Sequence, residues 1–90
     1  MSFDSAPGSD LIAEGLADLR SGRETTAALL VAVGAPRLSR LGFDVPRRFA
    51  SPEHRLYLRL AHQFGDGAHS QYNALIRRLV SFERACACVR

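Results

Sequence analysis

The sequence predicts an all-α fold: a small bundle of about five helices, with a long C-terminal helix in an αα-hairpin. Three observations predict it. Ala68, Tyr72, Leu75, Leu79, Phe82, Cys86 and Val89 recur in steps of four and three, an a/d seam of period 3.5 held across three heptads. Upstream, shorter periodic segments are bounded by the glycines, prolines and small polar residues that start and stop helices. The one short apolar run that could form a buried strand, residues 27–33, has no second strand to pair with.

Residues 1–8, with Pro7 and Gly8 together, read as a flexible N-terminal tail, and residues 9–90 as a single helical domain. Ser9 or Asp10 is the expected cap of the first helix. Leu11, Ile12, Leu16 and Leu19 fall on one face, Glu14, Asp18 and Arg20 fall away from it, and Gly22 is the stop. Thr25 starts the second helix, whose residues 27–33 are apolar all round; such a helix is buried on most sides or sits in an interface. Gly34 ends it. Pro36 opens a short third helix that runs to Leu41 and stops at Gly42.

Residues 43–50 form the irregular connection. Val45-Pro46 favours extended backbone, and Phe43, Val45 and Phe49 can pin it to a core. Ser51-Pro52-Glu53 then reads as cap, first-turn proline and acid, starting a fourth helix that ends near Phe64. Leu56, Tyr57, Leu60, Ala61 and Phe64 share one face of it; Arg55, Arg59 and His62 share the opposite one. Gly65 is the stop and Asp66 the next cap, so the fifth helix follows after a tight turn. If residues 67–88 are helical, this helix is roughly 33 Å long at 1.5 Å per residue. Ile76 widens its apolar stripe, and Ser70, Arg77 and Arg84 lie farthest from it.

Ninety residues make one domain, and 47% hydrophobic with 23% charged residues is ordinary for a globular protein. No apolar run approaches the roughly 18 residues of a membrane span. The first residues have neither the basic start nor the apolar centre of a secretory signal. No membrane association is expected, and the expected location is cytoplasmic. All twelve basic residues are arginine, which excludes a lysine Schiff base or lysine general base. Residues 1–36 carry two arginines and five acids, while residues 37–90 carry ten arginines and four acids. The basic part suits an acidic protein partner or a nucleic-acid backbone, the latter through Arg37, Arg40, Arg47, Arg48, Arg55 and Arg59. Scattered over separate helices, the same arginines would be ordinary solvated faces.

Cys86 and Cys88 stand two apart, so on a helix their thiols point in different directions and cannot readily bridge. His54, His62 and His69 match no zinc spacing, and neither a metal nor a cofactor is expected. Residues 26–43 have the outline of a helix-turn-helix with Arg37 and Arg40 exposed. Its second helix, of about six residues, is too short to reach bases and backbone together, and Arg40 occupies a position where that motif packs an apolar residue. No phosphate loop, nucleophile elbow or paired-carboxylate motif is present.

Arg55 and His62, with six residues between them, share one face of the fourth helix. This resembles the Arg-(four to six residues)-His motif of HEPN-type ribonucleases, small helical domains that cut RNA with the two side chains converging, usually across a dimer interface. The resemblance implies proton transfer by His62 and stabilisation of a phosphate transition state by Arg55. It covers two residues, and Leu56 stands where the family has a polar residue after the arginine.

The function expected from these residues is that of a small non-enzymatic interaction or regulatory module, a partner subunit or antitoxin-like binder. It would act as a homodimer or with a protein partner. Arg77, Arg78, Phe82, Arg84, Cys86 and Val89 are the expected contact residues, because the seam runs on beyond the reach of the fourth helix. The alternative is nucleic-acid binding, or RNA cleavage by Arg55 and His62.

Overall fold

The computed structural model describes residues 8–46 and 49–89. They form helices α1 (Ser9–Ser21), α2 (Thr26–Val33), α3 (Ala35–Arg40), α4 (Pro52–Phe64) and α5 (Ala68–Val89), with a 3-10 turn at Gly65–Gly67. No strand occurs among the described residues, and the all-α class holds. Four of the helices have eight residues or more. The remaining one, α3, has six, so the bundle has four full helices rather than five.

The α5 seam is where the period places it. Ala68, Leu79, Phe82 and Cys86 are buried, Tyr72 and Leu75 are half-buried, and Ser70, Arg77 and Arg84 are exposed on the far side. At 22 residues and 1.5 Å per residue, α5 spans roughly 33 Å of a molecule 39 Å long. The element that holds the fold together is nevertheless α2. It packs against α1, α3, α4 and α5, and Ala28, Leu29, Leu30 and Val31 are fully buried. Full burial of a leucine or valine contributes roughly 1.5–3 kcal/mol each, so this eight-residue helix is held by its neighbours rather than by its own propensity. Its all-round apolarity is used inside one chain.

That packing corrects two expectations about surplus surface. Phe82, 2% exposed, is covered by the connection after α3, with the Phe43 ring tilted against it at 5.6 Å between centroids. Cys86 is fully buried in the same core. Apolar side chains are exposed instead on α4, where Tyr57, Leu58 and Phe64 are 39, 54 and 48% accessible. Tyr57 and Phe64 were expected on the packed face. Tyr57 lies at the edge of the α4–α5 contact, its ring 5.7 Å from that of Tyr72.

Three capping expectations also change. α1 already includes Ser9; its N-cap is Gly8, at φ 78°, with no side-chain hydrogen bond. Ser51 sits at φ 48°, in the left-handed region. A serine caps from extended backbone, so Ser51 makes no capping bond there. Asp66 lies inside the 3-10 turn, and Gly67, not Asp66, immediately precedes α5. Thr25 and Gly22 behave as expected: Thr25 Oγ1 accepts the Ala28 N–H at 3.1 Å, and Gly22 closes α1 at φ 77°.

Asp18, expected on the outer face of α1, is buried at the α1–α2 corner. There it accepts from the Thr25 hydroxyl at 2.7 Å and from Arg23 Nε at 3.2 Å. The hydroxyl bond, followed by Arg23, holds its carboxyl below the ordinary aspartate range against the opposing effect of burial. Every buried side-chain nitrogen and oxygen among the described residues has a hydrogen-bond partner.

Candidate functional site

The α2–α3 junction lies directly on α5 because residue 34 is glycine. A Cβ there would stand 2.8 Å from Leu79 Cδ1 and 3.2 Å from Glu83 Oε2. Without one, Gly34 serves as both the last cap of α2 and the first of α3, and the space left between α3 and α5 is lined from both helices. Pro36 near its start and Leu38 in the core fix the short helix, which leaves Arg37 and Arg40 on its outer side.

Two shallow depressions open between these elements. One, of about 330 Å³, has a floor of Leu41, Val80 and Ala87 and a rim of Arg37, Arg40 and Arg84. The other, of about 280 Å³, is floored by Val33, Pro36, Ile76, Leu79 and Val80. Arg37 and Glu83 border both. Arg37 Nη1 lies 3.6 Å from Glu83 Oε1, the arginine side chain 70% exposed and the glutamate 8%. Burial raises the Glu83 carboxyl above the ordinary glutamate range, and the charge and hydrogen bond of Arg37 only partly offset this. The site therefore combines three guanidiniums, a poorly solvated carboxylate and an apolar floor. Arginine presents a planar fork of donors matched to carboxylates and does not release its proton, so this arrangement has the chemistry to hold an anion beside apolar groups.

Of the expected contact residues, Arg84 belongs to this site. Arg77 and Arg78 are exposed on α5, Phe82 and Cys86 are core, and the side chain of Val89 lies outside the described part. Of the nucleic-acid candidates, Arg37 and Arg40 meet Arg84 here, while Arg47 and Arg48 lie outside the described residues. Glu83 went unnoticed in the sequence, although a signal exists: it follows Ile76 by seven residues and so repeats the position that widens the apolar stripe.

Arg55, Arg59 and His62 line a separate cleft on α4 with Glu24, Leu58 and Gln63, of about 460 Å³ and thus larger than either depression on α5. Its arginines have structural partners. Arg55 Nη1 pairs with Glu24 Oε1 at 2.8 Å, its Nε donates to the Ala50 carbonyl at 3.1 Å, and its guanidinium lies 5.8 Å from the centre of the Phe49 ring. Arg59 Nε donates to Thr26 Oγ1 at 3.1 Å. These bonds clip α4 to the corner between α1 and α2. His62 is exposed on the same cleft, seven residues and roughly 10 Å along the axis from Arg55. Among the described residues no three His, Cys, Asp or Glu side chains gather into a metal site, and no helix is long and apolar enough to cross a membrane.

Comparison with protein-family models, with curated proteins and with solved structures finds no match to this chain.

Proposed function

We propose that this chain is a non-enzymatic interaction module that binds an acidic protein partner across α3 and the second half of α5, as a regulatory or partner subunit would. The observation that carries the reading is the apolar trough rimmed by Arg37, Arg40 and Arg84, with Glu83 buried in its wall. Arginines around an apolar floor favour a partner that offers carboxylates around apolar side chains. A twofold pairing of copies through this face would set one arginine rim against the other, so the partner is a different protein. The ribonuclease reading ranks below this, because Arg55 is already held by Glu24, Ala50 and Phe49.

The test compares wild-type protein with the Arg40→Glu/Arg84→Glu variant, both immobilised in cell extract from the source organism. Acidic proteins captured by the wild type and lost on charge reversal, with helicity by circular dichroism unchanged, are the expected result. Capture indifferent to the reversal, or retention of nucleic acid in place of protein, overturns the reading.

A further inference from the structure

The ion pair between Arg37 and Glu83 crosses a single trough and divides it in two. The depressions on either side share Arg37, Val80 and Glu83 as their common wall. On α5 one is bordered by Val80, Arg84 and Ala87 and the other by Ile76, Leu79 and Val80, an offset of about four residues. At 1.5 Å per residue this is roughly 6 Å, one helical turn. Side chains at i and i+4 of a helix stand on one face at the same separation.

We propose that the trough receives an acidic amphipathic helix of the partner, laid along α5. Two apolar side chains one turn apart sit on either side of Arg37, and carboxylates meet Arg37, Arg40 and Arg84. This rests on the proposed role as an interaction module and names the element that is recognised. Each depression is near or below the roughly 300 Å³ at which small-molecule pockets begin, a size suited to one bulky side chain rather than a cofactor. An extended peptide would also space alternate side chains by about 6–7 Å. It would bring unpaired backbone groups to a surface made of helices, where no strand edge among the described residues can pair them; a helix satisfies its own. The acidic helix of this chain, α1, is not the occupant, because its apolar face is buried against α2.

Glu83 competes with the ligand. Its carboxylate holds Arg37 at the long distance of 3.6 Å and adds negative charge where incoming acids must sit. An arriving carboxylate that engages the guanidinium fork in closer geometry takes Arg37 over.

The experiment uses the full chain and three labelled synthetic peptides of equal length, the first two of the same glutamate-rich composition. One carries two leucines at i and i+4, another at i and i+2, and a third replaces every glutamate of the first with lysine. Fluorescence anisotropy is expected to show the i/i+4 acidic peptide binding at least about tenfold tighter than the other two. Arg84→Glu should weaken it by about tenfold or more, the scale of one charge-assisted hydrogen bond. Glu83→Gln should tighten it several-fold, an outcome that a merely structural Glu83 would not give. Equal binding of the i/i+2 peptide, or weaker binding by Glu83→Gln, overturns the inference. If no peptide binds while extract proteins are still captured through Arg40 and Arg84, the helix fails and the broader reading stands. If that capture is also indifferent to charge reversal, the broader reading fails. An RNA oligonucleotide that binds at the same arginines more tightly than the peptide overturns both.

Discussion

The Thr25 hydroxyl donates to Asp18 Oδ2 at 2.7 Å while its oxygen accepts the Ala28 N–H at 3.1 Å. One side chain thus starts α2 and satisfies the only buried acid of α1. Thr25→Val removes both bonds, and loss of the cap alone is expected to cost about 1 kcal/mol. Asp18 is held below the usual aspartate range, first by Thr25 and then by Arg23. A depressed carboxyl contributes stability that is present above its unfolded value, about pH 3.9, and is lost as pH falls through its folded one. Urea denaturation should therefore show Asp18→Asn less stable than wild type at pH 7, with the gap closing below pH 4. A gap that does not narrow as the pH falls below 4 would point to packing rather than charge.

Glu83 carries the opposite sign. Its carboxyl is raised by burial, so its contribution is fullest below its unfolded value, about pH 4.3, and is lost as pH rises through its higher folded one. Glu83→Gln should stabilise the fold at neutral pH and have little effect at pH 3.5. Arg37→Ala should destabilise at neutral pH, because it strands the carboxylate. Thermal melts of the two variants at both pH values decide the matter; destabilisation by Glu83→Gln at pH 7 would mean that the ion pair outweighs burial.

At Gly15, α1 leaves no room for a side chain against α2. A Cβ there would stand 2.8 Å from the Ala27 carbonyl carbon, and nearer still to its oxygen and to Val31 Cγ2. Backbone cannot yield as a flexible side chain can, so Gly15→Ala is expected to cost about 1–3 kcal/mol or more by overpacking. Leu79→Ala empties the middle of the α5 seam, where Leu79 is 4% exposed, and should cost about 2–5 kcal/mol. Chemical denaturation checks both, and a neutral result at either site would remove it from the core.

Cys86 is buried and its thiol is pushed up by that burial, whereas Cys88 is exposed. Alkylation of the folded protein with iodoacetamide should give a single adduct, at Cys88, and two adducts only after denaturation. Mass spectrometry that finds Cys86 modified under native conditions would show that the end of α5 opens.

Helical class, the α5 seam and the stops at Gly22 and Gly34 were legible in the sequence because each depends on local spacing. What escaped was long-range. Beyond the reach of α4, the spacing left Phe82 and Cys86 to be covered either by the first two helices or by another chain; α2 and the connection carrying Phe43 complete that core. Asp18 looked solvent-facing because nothing local announces that Thr25 and Arg23 fold back onto it. Ser51 follows the residue pattern of a cap but has a backbone that cannot make one. Of the candidate site, Arg37, Arg40 and Arg84 were visible singly. Their meeting, and Glu83 between them, depends on Gly34 letting the α2–α3 junction approach Leu79 and Glu83 of α5.

The clip that Arg55 and Arg59 make with Glu24 and Thr26 joins residues 31 and 33 positions apart, whereas α1 with α2, and α4 with α5, pair across turns of a few residues. Short loops close early in folding and long ones late. The two local helix pairs should therefore be largely formed in the transition state, with the clip made on the downhill side. Contacts made that late resist escape from the native state and do little to hasten arrival. Arg59→Ala should consequently speed unfolding while leaving refolding nearly unchanged, so the two arginines govern how long the native molecule lasts. Stopped-flow chevron plots measure this, and a slowed refolding limb would place the clip in the folding nucleus instead.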